Sequence, residues 1–306
     1  MANSVSLGRR VEIVEVGPRD GLQNEKTLLP TTTKVELVRR AIAAGIARVE
    51  ATAFVSPRRV PQMADAEALM AGVPRNEGIS YASLVLNKRG FERSAAAKTD
   101  EINVVVVATD TFCRRNQGQT TEEAISVWAD VADAARAAGI RRSVTISAAF
   151  GCPFEGEVPA AKVAAIARRV AESEPDEIVL ADTIGVGVPT QVTDLVGAVT
   201  AQAPGIPLRL HFHNTRNTGY ANAVAAVTAG VGALDASTGG IGGCPFAPTA
   251  TGNIATEDLI FLLHRMGIET GVDLASVMAT GRWIGGELGI ETPALLGRAG
   301  PFPPVA

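Results

Sequence analysis

The feature that most constrains the fold of this chain is a regular alternation of short apolar stretches with longer amphipathic ones. Eight stretches have the length and the β-branched composition of buried strands, and segments with helical periodicity lie between them. The strand signals cover residues 11–16, 48–52, 80–86, 101–107, 143–147, 176–181, 208–212 and 233–236. Eight strands that alternate with helices predict an α/β fold, the (β/α)8 TIM barrel with extra C-terminal helices.

An open, doubly wound sheet is the alternative for such an alternation. That fold places a Gly-x-Gly-x-x-Gly loop after its first strand, whereas the first strand here ends at Gly17-Pro18. A length of 306 residues with 46% hydrophobic residues suits one barrel with additions. We therefore expect a single domain over 1–306, with a barrel over about 11–266, additional helices over 267–296 and a loosely held tail over 297–306.

Two helices have clear sequence signals. A capping-box pattern starts at Thr33 and is completed by Glu36, so a helix is expected to begin there. The clearest helical pattern covers 120–138 and ends at Gly139.

Composition excludes several classes of partner. The net charge is −4 and no basic run is present, which argues against binding to nucleic acid. No apolar run approaches the roughly 18 to 20 residues that a membrane span needs. The three cysteines, Cys113, Cys152 and Cys244, form neither a Cys-x-x-Cys motif nor a disulfide framework. With no signal peptide at the N-terminus, these features predict a cytoplasmic protein.

Two histidines at the end of the seventh strand signal predict a metal site. The chain contains three histidines, and two of them form the sequence His211-Phe212-His213. Because side chains alternate along a strand, both imidazoles point to the same face, where they could hold a divalent cation. The alternative is a polar strand end that binds nothing.

Barrel geometry adds oxygen ligands to these imidazoles. In a closed barrel the first strand lies beside the eighth, so Asp20, which follows strand one, reaches the same rim as the histidines. Asp182 ends the sixth strand and Asn253 follows the eighth. A carboxylate, two imidazoles and an amide oxygen suit Mg²⁺ or Mn²⁺, with Zn²⁺ as an alternative because imidazole also binds it.

Further titratable groups accompany this rim. Glu50 lies within the second strand among apolar neighbours, where a carboxylate needs a partner, and a structural ion pair is as good an interpretation as a catalytic one. The glycine run 239–243 ends at Cys244, which is either a buried thiol in a turn or a proton-transfer group on a mobile loop. Glu257 lies on the opening turn of the next helix.

Six motifs in these regions carry a resemblance to a known family. They are VGPRDGLQNE at 16–25, FVSP at 54–57, DTIGVG at 182–187, HFH at 211–213, GGCP at 242–245 and GNIATED at 252–258. With them the chain resembles the 3-hydroxy-3-methylglutaryl-CoA (HMG-CoA) lyase family, in the metal-dependent lyase and Claisen-condensing superfamily of TIM barrels. The similarity extends from residue 11 to about residue 274.

The resemblance implies a set of roles at the barrel rim. The metal ligands would be Asp20, His211, His213 and Asn253. Glu50 and Glu257 would support the metal and the cysteine. The family cleaves an HMG thioester to acetyl-CoA and acetoacetate, and the resemblance also implies a homodimer.

The reaction itself indicates what the remaining groups would do. A tertiary alcohol must lose its proton before the carbon–carbon bond breaks, so a base is needed beside the metal, and His211 and Asp182 are the candidates. Negative charge then moves to the thioester oxygen, which Arg19 would stabilise. Cys244 would protonate the carbanion that is left on the acetyl group.

Several positions depart from the family pattern. Small polar residues that help to hold the substrate carboxylate in the known lyases correspond here to Ala53, Val179 and Gly289, and an expected Asp is Asn214. Either another group such as Arg216 or Arg282 binds that carboxylate, or the acyl chain differs.

The alternatives are therefore functional as well as structural. A citramalyl-CoA-type lyase is the second substrate assignment, an acetyl-CoA-dependent Claisen-condensing enzyme is the third, and a non-catalytic metal-containing barrel is the last. Arg58, Arg59 and Lys88 could meet the phosphates of CoA, or they could be solvated surface residues.

Overall fold

Eight parallel strands close into a barrel. The structure, a computed structural model, describes residues 10–75, 77–243, 252–300 and 302–303. The strands are β1 (Glu12–Glu15), β2 (Arg48–Ala53), β3 (Ser80–Val85), β4 (Glu101–Val107), β5 (Arg141–Ser147), β6 (Gly151–Cys152), β7 (Gly156–Glu157), β8 (Glu177–Asp182), β9 (Leu208–Phe212) and β10 (Ala233–Ala236). The barrel order is β1-β10-β9-β8-β5-β4-β3-β2, while β6 and β7 form a separate hairpin. The predicted TIM barrel is confirmed.

Helices surround this barrel and follow most of the predicted patterns. They are α1 (Thr31–Ala43), α2 (Ala66–Gly72), α3 (Lys88–Ala96), α4 (Asp110–Gln117), α5 (Thr121–Ala137), α6 (Ala160–Ala171), α7 (Pro189–Gln202), α8 (Gly219–Thr228), α9 (Thr256–Arg265), α10 (Leu274–Leu288) and α11 (Leu296–Ala299). Helix α10 lies in the segment predicted to be extra helix. None of the helices within these described ranges is long and apolar enough to cross a membrane.

The two capping predictions have different outcomes. Helix α5 starts at a complete capping box, in which Thr120 accepts from the Glu123 N–H and Glu123 accepts from the Thr120 N–H. The box predicted at Thr33 is wrong, because α1 begins earlier, directly after Pro30. Proline suits the position before a helix that lacks a side-chain cap, since its φ of −60° already matches helical backbone.

Asp258 holds the chain just before the predicted tail, at the end of the segment predicted as additional helices. The Asp258 carboxylate accepts hydrogen bonds of 2.8 Å from the backbone N–H groups of Leu295 and Leu296. These bonds fix the start of α11 against α9. The division of the chain into barrel, extra helices and tail stays a prediction.

The lower part of the barrel interior contains a network of buried charges. Arg48 lies 2.6 Å from both Glu101 and Glu177, and Arg209 lies 2.8 Å from Glu177. The four side chains are at most 3% exposed. Because β2 and β8 are not neighbours, the Arg48–Glu177 contact crosses the barrel. Each charge is therefore compensated by opposite charges from other strands, as burial requires.

This network predicts a large stability loss when one charge is removed. In Arg48→Met, two buried carboxylates lose a cationic partner, and we expect the free energy of unfolding to fall by about 3–5 kcal/mol. Urea unfolding monitored by circular dichroism measures this change. The control is Arg169→Met, which removes an exposed pair with Glu122 and should leave the midpoint unchanged. Equal midpoints for the two variants would contradict the prediction.

Candidate active site

A single wide turn after β1 carries the first two site residues. Gly17–Gly21 forms a π-helical turn, in which the N–H groups of Arg19, Asp20 and Gly21 all approach the Val16 carbonyl. Such turns occur frequently at functional sites because they widen the helix locally. The turn places Arg19 and Asp20, neighbours in sequence, at the mouth of the barrel.

Glu15 fixes this turn, and the sequence analysis did not identify it. Its carboxylate is fully buried and accepts hydrogen bonds from Gly17 N at 2.8 Å, Thr238 N at 2.8 Å, the Thr238 hydroxyl at 2.6 Å and the Thr256 hydroxyl at 2.8 Å. A Cβ atom on Gly17 would lie 2.5 Å from this carboxylate. Glu15 therefore joins the turn to the segments that follow β10.

Asp20, His211 and His213 converge as predicted. One ligand atom from each lies within 4.8 Å of the others, and both Nε2 atoms are 3.9 Å from Asp20 Oδ2. The Nδ1 atom of His213 is buried without a hydrogen-bond partner among the described residues. One carboxylate and two imidazoles, gathered from β9 and from the turn after β1, fit a divalent cation.

The charge state of Asp20 suits a metal ligand. Burial alone would raise the pKa of Asp20, but the Arg19 guanidinium and the two imidazoles outweigh it and hold that pKa well below its usual range. The group is therefore a carboxylate at neutral pH. Arg19 itself contacts Asp20 Oδ1 at 2.5 Å.

Asn253 lies beside this cluster with its amide nitrogen turned toward Asp20. Its Nδ2 is 2.9 Å from Asp20 Oδ2 and 3.2 Å from the Ile241 carbonyl. An amide NH2 group is a donor and does not bind cations. As a metal ligand, Asn253 would turn its amide over so that the oxygen faces the ion.

Glu50 is the direct partner of Arg19. Arg19 Nε donates to Glu50 Oε2 at 2.8 Å, and Asn103 Nδ2 donates to Glu50 Oε1 at 3.1 Å. Thr145 in turn donates to Asn103 Oδ1 at 2.9 Å. The buried carboxylate thus forms the ion pair that the sequence left open, and its partner is the guanidinium at the site. Asn103 and Thr145 were not identified from the sequence.

The His211 ring is held on its other side by Asp235. His211 Nδ1 is 3.1 Å from Asp235 Oδ2, so Nε2 is the nitrogen directed to the cluster. Asp235 Oδ1 accepts from Arg209 Nη1 at 2.7 Å. Asp235 has no motif that marks it in the sequence, because a single acidic residue in an apolar strand has many interpretations.

Asp182 is not one of the three clustered ligands, but its carboxylate lies near enough to interact electrostatically with His213 and His211. Its two carboxylate oxygens each accept a 2.9 Å hydrogen bond, one from Val186 N and one from Gly187 N. Burial raises the pKa of Asp182, and these backbone bonds oppose the increase. The side chain is 1% exposed and is turned into its own loop.

Cys244 lies outside the described residues, but the segment that leads to it is part of the site. Asn24 Nδ2 donates to the Gly243 carbonyl at 2.8 Å. Gly242 has a φ of +101°, and a Cβ atom there would lie 2.7 Å from the Cα of Gly21. Glycine is therefore required where this loop passes the Asp20 turn.

Glu257 lies below the same glycine loop. Its Oε2 accepts from Gly239 N at 2.9 Å, and its Oε1 has no hydrogen-bond partner among the described residues. Burial raises the pKa of Glu257 to about 8. The group is consequently protonated at neutral pH and can donate a hydrogen bond.

A cavity of about 940 Å³ opens from the metal cluster. Its inner wall includes polar side chains on or just after the neighbouring strands β4, β5 and β8: Asn103, Thr145, Ser147 and Thr183. Its outer wall is basic and is formed by Arg59, Arg89, Arg93 and Arg115. Arg59 was among the predicted CoA contacts, whereas Arg58 and Lys88 do not line the cavity.

The positions that depart from the family pattern lie in different parts of the structure. Val179 lies between Glu177 and Ala181 on β8 and shares their inward face, while Ala53 is fully buried beside Leu84. Gly289 is an exposed helix end with a φ of +70°. Ala53 and Val179 do not line the cavity themselves, but Ala181, the next inward residue after Val179 on β8, does. Among the proposed alternative carboxylate ligands, Arg216 donates to the Ile184 and Gly185 carbonyls, and neither it nor Arg282 lines the cavity. Asn214 accepts from Gly219 N at 3.1 Å.

Comparison with known proteins agrees with this geometry. A family model described as HMGL-like matches residues 10–284. The chain belongs to the HMGL-like family. This family depends on a divalent metal, which fits the candidate metal cluster at Asp20, His211 and His213. Together with its lyase relatives, membership of the family makes the protein a carbon–carbon lyase.

Named relatives within the HMGL-like family differ in substrate. The (R)-citramalyl-CoA lyase of Chloroflexus aurantiacus is 45% identical over 304 residues, which is 96% of this chain and 96% of that protein. The hydroxymethylglutaryl-CoA lyase of Pseudomonas mevalonii is 42% identical over 289 residues, 94% of this chain and 96% of that protein. A solved HMG-CoA lyase of Acinetobacter baumannii, in complex with coenzyme A and 3-methylmalate, has a TM-score of 0.93 and 35% identity, and the match covers 100% of this chain and 99% of that one.

The raised pKa of Glu257 predicts a pH-dependent effect on stability. Between its ordinary pKa of 4.5 and about 8, the folded state keeps a proton that the unfolded state has released, so this residue lowers stability as pH rises. Glu257→Gln cannot ionise. The free energy of unfolding of the variant, relative to that of the wild type, should therefore increase by up to about 1.4 kcal/mol for each pH unit between pH 5 and pH 8. Urea unfolding across this range measures the difference, and parallel pH profiles would contradict the prediction.

Proposed function

We propose that this protein is a metal-dependent acyl-CoA lyase that cleaves HMG-CoA to acetyl-CoA and acetoacetate. The observation that carries the proposal is the convergence of Arg19, Asp20, His211 and His213 at the inner end of a cavity with a basic outer wall. When the carbon–carbon bond of the substrate breaks, negative charge develops on the hydroxyl oxygen and on the thioester oxygen. A cation and a guanidinium beside each other match these two oxygens. A CoA complex is known for one similar lyase.

The bound metal would supply Lewis acidity, lowering the pKa of the substrate hydroxyl. Mg²⁺ or Mn²⁺ suits the donor set, and Zn²⁺ is the alternative. Asp20, His211, His213 and Asn253 are the proposed ligands. Arg19 would stabilise the enolate of the leaving acetyl thioester, and Glu50 would hold the guanidinium in place for that task.

We assign the base role to Asp182 rather than to His211. His211 uses Nδ1 for Asp235, so its Nε2 cannot both bind the ion and accept a proton. Asp182 can take this role because each of its carboxylate oxygens accepts one backbone hydrogen bond and keeps a second lone pair for a proton. Cys244 would return a proton to the acetyl carbon, with protonated Glu257 below its loop.

The outer wall supports a CoA-binding role. Arg93 is paired with Glu67, and Arg115 lies 4.1 Å over the ring of Phe154. No ion-pair partner for Arg59 or Arg89 is found within the described part of the chain. These two cations are therefore the proposed contacts for the CoA phosphates.

Citramalyl-CoA is the second candidate substrate. It is one methylene shorter than HMG-CoA and carries its carboxylate on the carbinol carbon, so cleavage gives acetyl-CoA and pyruvate. The inward positions Ala53 and Val179 offer no hydrogen-bond donor to a carboxylate that reaches deeper into the barrel. A shorter acid would keep its charge near Arg19 and the metal. A homodimer and a cytoplasmic location remain predictions from the sequence.

The function is tested by incubating the purified protein and Mg²⁺ with each thioester and quantifying acetyl-CoA and the keto acid by mass spectrometry. We expect acetoacetate from HMG-CoA, and loss of activity by at least about 100-fold in Asp20→Ala and Cys244→Ala. Absence of acetyl-CoA from all acyl thioesters would overturn the proposal. Release of free CoA from acetyl-CoA and a 2-oxo acid would instead establish the condensing alternative, and unchanged turnover in both variants would favour a non-catalytic barrel.

The choice between the two substrates predicts a specificity change at Val179. A hydroxyl at this inward position could donate to the longer acid, so Val179→Ser should raise kcat/KM for HMG-CoA relative to citramalyl-CoA by about tenfold. Val179→Ala is the matched control, because it creates similar space without a donor. The same ratio in both variants would show that volume, and not hydrogen bonding, governs the preference.

A further inference from the structure

Asp235 lies between a cation and a proposed metal ligand. Its Oδ1 accepts a 2.7 Å hydrogen bond from Arg209 Nη1, and its Oδ2 is 3.1 Å from His211 Nδ1. The Asp235 side chain is 7% exposed, the His211 side chain 10% and the Arg209 side chain 1%. Both carboxylate oxygens are therefore engaged at the inner end of the cavity, where little of the side chain is exposed.

Arg209 fixes the orientation of this carboxylate. Its Nε lies 2.8 Å from Glu177 Oε2, and Glu177 is held in turn by Arg48. A guanidinium has donors only, so whichever atom of residue 235 faces Arg209 must be an acceptor. The charge network at the floor of the barrel thus sets which way residue 235 points.

We propose that Asp235 is a positioning residue that holds His211 in the Nδ1–H tautomer, so that the Nε2 lone pair faces the metal. This inference rests on the proposed metal site. A carboxylate accepts from Nδ1–H and leaves Nε2 unprotonated, which is the form of imidazole that binds a cation. The hydrogen bond also restricts rotation of the ring toward or away from Asp20.

The isosteric variant Asp235→Asn separates this role from a structural one. Because Arg209 only donates, the amide oxygen of Asn must face Arg209, and the amide NH2 then points at His211 Nδ1. That nitrogen becomes an acceptor, and the proton moves to Nε2, the atom that should bind the ion. Asp235→Ala removes the same charge without imposing a tautomer. If Asp235 only supported the structure, Asp235→Ala should weaken metal binding more than Asp235→Asn does. If Asp235 controls the tautomer, Asp235→Asn should weaken metal binding more.

The tautomer can be read directly in the metal-free protein. The chain has three histidines, so ¹⁵N labelling of histidine gives a spectrum that His211→Gln and His264→Gln assign. Long-range ¹H–¹⁵N correlations, recorded at an alkaline pH where the His211 ¹⁵N shifts no longer change with pH, distinguish the two tautomers. We expect Nδ1–H for His211 in the wild type and Nε2–H in Asp235→Asn. The same tautomer in both proteins would overturn the proposal.

Metal affinity provides the second readout. Isothermal titration with Mn²⁺ should show a Kd about 100-fold weaker in Asp235→Asn and about tenfold weaker in Asp235→Ala. The control is Asp65→Asn, a partly buried carboxylate paired with Lys34 at 2.7 Å, which should bind Mn²⁺ like the wild type. Circular dichroism confirms that each variant is folded. A weaker Kd in Asp235→Ala than in Asp235→Asn would overturn the proposal.

The two readouts keep this inference separate from the proposed function. If the wild type does not bind Mn²⁺, the metal-dependent function fails, and the NMR result alone decides the role of Asp235. If the wild type binds Mn²⁺ and the Asn variant binds it equally well, the function stands and the positioning role is wrong.

Discussion

Pairing between the first and last barrel strands is the interaction on which the rest of the structure depends. Strand β1 pairs in parallel with β10 from Glu12 with Ala233 to Glu15 with Ala236, and this pairing closes the sheet. Closure brings the turn that carries Arg19 and Asp20 to the strand that carries the two imidazoles. Glu15 strengthens the junction by binding the backbone on both sides of it. The site exists because residues about 190 positions apart meet there, as the Asp20 and His211 contact shows.

Charges inside the barrel connect stability with the chemistry at its mouth. Buried ions are costly unless each is compensated, and here arginines and carboxylates from several strands alternate from Arg48 upward to Asp235. The last carboxylate of this series contacts His211, and a second buried pair, Arg19 with Glu50, lies beside Asp20. The interior that supports the barrel therefore also orients the groups that face the cavity, which explains why an enzyme of this kind tolerates so polar a core.

Under the proposed function, substrate choice and the reaction itself would depend on different residues. The turn at 17–21 and the His-x-His strand end carry the groups proposed to stabilise charge, and both lie in motifs by which the sequence resembles the family. Ala53 packs in an apolar cluster with Leu84, whereas Val179 pairs in register with Thr145 and Arg209. Both positions are proposed to affect which acid is held, separately from the groups that carry the chemistry. Relatives of similar identity that are named for different substrates fit this division.

The order of strands and helices could be predicted from the sequence because hydrophobic periodicity is a local property. The repeat of eight strand–helix units also leaves few ways to bury the strands. His211 and His213 were predictable for the same reason: alternation along one strand is enough to place them on one face. Partners set by contacts between distant segments were not predictable. Asp235 beside His211 and Asn103 beside Glu50 follow from strand register and barrel closure. Local sequence thus determined the fold and the metal-binding face, while only tertiary structure decided which nitrogen of His211 is free, because that depends on a carboxylate from a neighbouring strand.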